Sequence, residues 1–327
     1  MNVTPLIREI ARGAAGARDL TYEQARELYL ALLDDTVPDL EVGAIMIALR
    51  MKTETVDEMR GFLAAVGERI PTWKRRRNDI RPVVIPTYNG ARRAANLTPL
   101  LALLLRRQGV PVLLHGPDDN DESFGRLTSA RILRHFDQPP CRTRQQAQQR
   151  LDEHLLAYLP LPLLSPGLAR LLALRERLGL RNCAHSLVKM LDPFHGEGLL
   201  LAAATHPDYL NNMRELLTAN DARALLLRAS EGEPFANPKR RPRIEHIHHR
   251  SSDILVDGEH DSLRAVPRVP ENGELSTTVA WTRRVLAGDI PLPPPLAQQL
   301  ACCLYACGKA TTLDHAFTLV NAKGEGN

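Results

Sequence analysis

The chain has 327 residues, 44% of them hydrophobic and 24% charged, with a formal net charge of +4 and only 4% aromatic side chains. That length holds one large core plus a smaller satellite, the hydrophobic content is ordinary for a globular protein, and the chain carries no internal repeat or long low-complexity segment. The longest strongly apolar run, LTPLLALLLRRQ, is broken by Arg106 and Arg107 and is too short to span a bilayer, which excludes a membrane partner.

The first 70 residues read as helices. MNVTPLIREIARG carries Arg and Glu within its apolar periodicity, so it predicts a short amphipathic helix rather than a signal peptide. Thr21 with Gln24, and Thr55 with Glu58, form capping boxes ahead of two further helices. Between them PDLEVGAIMIALRM predicts a densely apolar helix with more apolar surface than a lone small bundle needs. This region holds 8 basic against 12 acidic residues, whereas the remainder holds 34 against 26, which favours an anionic partner for the larger part. The basic run WKRRRNDIRP then reads as a linker or a solvated edge.

From Val83 onward strands alternate with helices. Strand 83–85 leads to a helix with Thr98 at its N-cap and Gly109 past its end, and strand 110–114 follows. This order predicts a mostly parallel sheet flanked by helices, an α/β fold. Helices are expected over 124–136, 144–157, 166–178 and 207–220, with a strand at 224–228. Segment 229–275 is polar and basic, with β pairing expected near 254–257 and 263–269; helices return at 276–287, 295–307 and 312–321. The expected domains are residues 1–75, helical and joined by a helix near 165–190, and residues 76–327, α/β. Five Cys, three of them in CCLYAC, suggest reduced, packed thiols and a cytoplasmic setting. His246, His248 and His249 lie close together but lack a carboxylate anchor, so phosphate contact or a polar loop is the expectation there, and no metal site.

One stretch raises a question of its own. VVIPTYNGARRAANLTPLL has the strand–turn–helix layout of a phosphate pocket, yet its turn carries Pro86, Tyr88, Arg92 and Arg93 in place of a glycine row. Here the chain resembles the anthranilate phosphoribosyltransferase and nucleoside phosphorylase superfamily. The likeness begins in LTYEQARELYLALLDD and EVGAIMIALRMKTETVDEMRGFLAAV, and continues through LRERLGLRNCAHSLVKMLDP to LYACGKATTLDHAFTL. It implies a helical domain, an α/β domain and head-to-head dimers.

The resemblance also shows where this chain departs. The family's GTGGD becomes Pro86, Thr87, Tyr88, Asn89 and Gly90, and its N-[IV]-S-T becomes Asn96, Leu97, Thr98 and Pro99. The KHGNR loop becomes Leu114, His115, Gly116, Pro117 and Asp118, and the Asp-Glu pair that positions magnesium falls around Pro234 and Phe235. NILGPLLNP becomes His185 to Pro193, including Lys189, while Arg175 matches the arginine placed near the acceptor. Pro86 has no N–H to donate and Tyr88 adds bulk, so the turn is a poor cradle for a magnesium diphosphate. No cofactor is therefore expected; phosphoribosyl diphosphate with magnesium is the alternative. These departures resemble a YbiB-like branch that binds nucleic acid.

The basic residues fit that expectation. Lys74, Arg75, Arg76, Arg77, Arg92 and Arg93 form one set, Lys239, Arg240, Arg241 and Arg243 a second, and Arg142, Arg144 and Arg150 a third. By the fold's implied geometry the first two converge on the C-terminal side of the sheet in a groove between the domains. With Asn96, Thr98, His115, Arg175 and Lys189, they are the expected phosphate-binding residues. Sequence-independent binding of DNA or RNA through the phosphate backbone, by a homodimer joined through the helical domain, is the leading reading. Pentosyl or phosphoribosyl transfer with an altered substrate site is the alternative.

Overall fold

The computed structural model describes residues 2–322 apart from 14–15, 75–79, 119–124, 260 and 262–267. The expectations placed on Arg75, Arg76, Arg77 and most of the 263–269 strand thus lie outside the described residues. The chain divides into two compact units, one of Met1–Thr72 with Leu161–Pro193, the other of Trp73–Pro160 with Phe194–Asn327.

The first unit is helical. Both capping boxes form, Thr21 with Gln24 and Thr55 with Glu58, starting helices Tyr22–Leu33 and Val56–Arg69. These two helices approach closely at Gly61, where a Cβ would lie 2.5 Å from the Tyr22 carbonyl oxygen. Tyr29 stacks on Phe62 with ring centroids 4.7 Å apart. Buried Glu58 also receives the Leu20 N–H and, at 2.7 Å, the Lys52 ammonium. Helix Pro166–Leu178 ends where Gly179 adopts φ 70°. Its Gly167 lies against Leu33, and its Arg170 forms an ion pair with Asp35 at 2.5 Å.

Helix Asp39–Lys52 buries Val42, Ile45, Met46 and Leu49. Its opposite face carries Leu40, Ala44, Ile47 and Met51 at helical spacing. Leu40 is 83% exposed and Met51 74%.

The second unit is built on a seven-stranded sheet: β1 Val83–Pro86, β2 Val112–Gly116, β3 Leu156–Pro160, β4 Leu199–Ala204, β5 Ala224–Arg228, β6 Ile244–His248 and β7 Ser251–Val256. Their order is β3-β2-β1-β4-β5-β6-β7. The first five are mutually parallel, and β6 and β7 add an antiparallel hairpin. Strands β1 to β4 are buried throughout, as parallel strands covered on both faces must be. The α/β class expected from the alternation is the one observed.

Several elements differ from expectation. Helix Arg144–His154 stops three residues early because Leu155 turns left-handed, at φ 59°, and LAYLP becomes β3. LLLAAA forms β4, which the sequence reading lacked. The helix expected over 124–136 spans Ser129–Arg134, capped by Thr128. IEHIH, read as a polar loop, is β6. All five cysteines are free and buried. No helix among the described residues is long and apolar enough to cross a membrane.

Candidate functional site

The chain leaves β1 for β2 and β3 on one side and returns to β4 on the other. The carboxyl end of β1 is therefore a topological switch point, where open α/β sheets bind ligands. The segment after it, Thr87 to Arg93, occupies that place. Gly116 is required beside it, since a Cβ there would overlap the Thr87 carbonyl oxygen.

The turn's donors converge on two carboxylates from the loop after β5. Glu233, fully buried, accepts the N–H groups of Asn89 and Gly90, each at 2.8 Å. The hydroxyls of Thr87 and Thr98 also donate to it, the latter at 3.2 Å. Half-buried Glu231 accepts the N–H groups of Arg92 at 2.7 Å and Arg93 at 2.9 Å. Four main-chain donors thus hold negative charge, as a phosphate cradle does, but the charge belongs to the chain itself.

Behind the turn, the Tyr88 hydroxyl meets His115 Nδ1 at 2.7 Å. Burial pushes the His115 pKa down to about 3 and raises that of Tyr88 well above its usual range. His115 is neutral at physiological pH, and its Nε2 is buried with no hydrogen-bond partner among the described residues.

The expected phosphate-binding residues fall into distinct groups. Asn96, Thr98 and His115 are fully buried, which corrects the expectation that they face a ligand. Asn96 bonds Leu127 and Ser129, Thr98 bonds Glu233, and His115 bonds Tyr88. Thr98 is also the first helical residue rather than the N-cap, which is Leu97. Arg92 and Arg93 are exposed at the turn. Lys239, Arg240 and Arg243 are exposed on the loop beyond Glu233, while Arg241 is paired with Glu259 at 2.8 Å. Lys239 pairs with Glu271 at 2.9 Å, and the neighbouring Pro270 carbonyl accepts the Ala95 N–H at 3.2 Å. The turn, the loop after β5 and the 270–273 segment are therefore knitted together, with Arg126 alongside, donating to the Gly90 carbonyl at 3.3 Å.

Lys74 sits elsewhere in this unit, tied by its main chain to Gln148. Arg175 and Lys189 belong to the helical unit, where with Arg181 they surround His185. Burial first, then those three cations, lower the His185 pKa to about 4. His246, His248 and His249 neighbour one another on the β6–β7 hairpin, and His248 bonds Asp253 at 2.9 Å. Among the described residues no three His, Cys, Asp or Glu side chains are placed to hold a metal ion.

The fold and the turn at its switch point define a phosphoribosyltransferase-type scaffold. Residues 4–69 match the helical bundle domain of a glycosyl transferase family. The chain is 39% identical to YbiB of Escherichia coli (strain K12) over 98% of its own length and 99% of that protein, and it belongs to the YbiB family. Its fold is shared with anthranilate phosphoribosyltransferase from Thermus thermophilus, with a TM-score of 0.74 at 21% identity, covering 96% and 92% of the two chains. The Saccharomyces cerevisiae enzyme in complex with PRPP and Mg aligns at a TM-score of 0.69 and 12% identity, covering 97% and 92%.

That complex overturns the expectation of a cofactor-free scaffold, because PRPP with Mg is bound on this fold in the yeast enzyme. In this structure the turn's main-chain donors are already engaged, those of Asn89 and Gly90 by Glu233 and those of Arg92 and Arg93 by Glu231.

Proposed function

We propose that the chain binds nucleic acid without regard to sequence, through the sugar–phosphate backbone. The observation that carries this reading is that exposed Arg92 and Arg93 stand on the turn at the switch point, and exposed Lys239 and Arg240 follow the loop whose Glu231 is hydrogen-bonded to that turn. Guanidinium groups fork onto phosphate oxygens, and scarce aromatics leave little surface for base stacking. Lys74, exposed in the same sheet unit, supplies further positive charge. Neutralising about five phosphates would make binding fall several hundredfold over a fourfold rise in salt. Fluorescence anisotropy with two unrelated labelled oligonucleotides, single- and double-stranded, measures this. Affinity that ignores salt, or that differs widely between the sequences, defeats the reading.

Transfer of a phosphoribosyl group is the second reading. It is supported by the glycosyl transferase match over residues 4–69 and by the relatives whose names assign that activity. PRPP and magnesium accordingly belong in the ligand panel. Incubation with both and a set of aromatic or base acceptors tests it, and sustained pyrophosphate release establishes it over the binding reading.

The active form in either case is a homodimer joined through the helical unit. The apolar stripe of Leu40, Ala44, Ile47 and Met51 supports that assembly, since a second copy of the same face would cover it.

A further inference from the structure

Ser230 and Glu233 exchange both main-chain hydrogen bonds, 3.1 and 2.9 Å, with Glu231 at φ 51° and Gly232 at φ 89° between them. This is a tight two-residue hairpin of the primed type. Its tip is pressed onto the turn after β1: Asn89 Nδ2 donates to the Gly232 carbonyl at 2.7 Å, and a Cβ on Gly232 would overlap that nitrogen. On either side of Gly232 a carboxylate enters the turn. Glu233 takes the Asn89 and Gly90 N–H groups and the Thr87 and Thr98 hydroxyls, and Glu231 takes the Arg92 and Arg93 N–H groups. The hairpin also holds a buried hydroxyl, Ser230 Oγ, with no partner among the described residues.

We infer that the Ser230–Glu233 hairpin is an internal anion seated in an oxyanion cradle, and that a phosphate-class ligand enters this turn only when the hairpin withdraws. Six donors arranged around two negative charges are a site for a doubly charged oxyanion, and the two carboxylates fill it. A ligand must then compete with a tethered group, so its apparent affinity is reduced by the fraction of molecules in which the hairpin is open. This device stands apart from the exposed arginines and does not depend on the nucleic-acid reading.

The test uses the full chain with inorganic pyrophosphate as the probe, followed by calorimetric titration and by the thermal midpoint. Glu233→Ala removes the central carboxylate, and Glu231→Ala removes the half-buried one while leaving the core intact. Each variant is expected to bind pyrophosphate at least about tenfold more tightly than the wild type, with a midpoint that climbs as pyrophosphate is added. Arg240→Ala in the Glu231→Ala background should leave that gain in place, which separates the cradle from the basic surface. Variants that bind no more tightly than wild type overturn the inference, as does a gain that vanishes with Arg240. Should Glu233→Ala fail to fold, Glu231→Ala decides alone.

Discussion

The Tyr88 hydroxyl and His115 Nδ1 lie 2.7 Å apart, and the second ring nitrogen of His115 is buried without a partner among the described residues. A histidine held neutral in this way ties the stability of the sheet unit to pH. Its folded pKa of about 3 lies below the ordinary 6.5 of an unfolded chain. Stability from it is fully present above pH 6.5 and is lost as the pH falls towards 3, because the unfolded chain takes the proton first. Urea unfolding should lose up to about 1.4 kcal/mol per pH unit from this ring across that window. His185 and His246, both lowered to about 4, act in the same direction. His115→Gln should flatten the profile by one proton; an unchanged slope would show that His115 does not contribute.

In the helical unit Lys52 bridges Glu58 at 2.7 Å and Asp19 at 2.6 Å, and Glu58 is fully buried. Lys52→Met leaves that carboxylate without its cation and should cost about 3 kcal/mol, read in thermal or denaturant scans. Adding Glu58→Gln should recover part of the loss by removing the stranded charge. No recovery would place the effect in packing instead.

Arg240 and Arg243 are exposed, whereas Arg241 is engaged by Glu259. Replacing Arg240 and Arg243 together with Ala should weaken all oligonucleotides alike and reduce the magnitude of the salt slope by about two. Anisotropy titrations at three salt concentrations measure both quantities. A loss confined to one sequence would indicate base reading.

Leu40→Glu with Met51→Glu puts charge into the exposed stripe of helix Asp39–Lys52. The wild type should scatter light as a dimer and the double variant as a monomer with unchanged circular dichroism. A wild-type monomer removes the proposed seam.

Local chemistry makes much of the fold legible. Thr21 and Thr55 start the helices that their capping boxes announce, and Gly179 ends the helix that Pro166 opens. Short buried strands are harder: LAYLP and LLLAAA have no alternation, and only neighbouring strands distinguish them from helix. The site is legible by place but not by content. Its turn stands out in the sequence, and Pro86 and Tyr88 signal an altered cradle. The carboxylates that fill it stand within EGEPF, two residues apart around a glycine and just ahead of the Pro234 and Phe235 that align with the family's acidic pair. The hairpin closed by Ser230 and Glu233 seats those acids on a turn far earlier in the chain, with 135 residues separating Thr98 from Glu233.

The five buried thiols turn the protein into its own reporter. Burial raises the pKa of every one, Cys307 to about 11 and Cys302 to about 12, so the reactive thiolate is scarce in the native state. Alkylation must wait for an opening. Cys183 belongs to the helical unit, whereas Cys141, Cys302, Cys303 and Cys307 belong to the sheet unit. Peptide-resolved labelling of the unmodified chain would therefore clock the breathing of each unit separately, with no probe engineered into either.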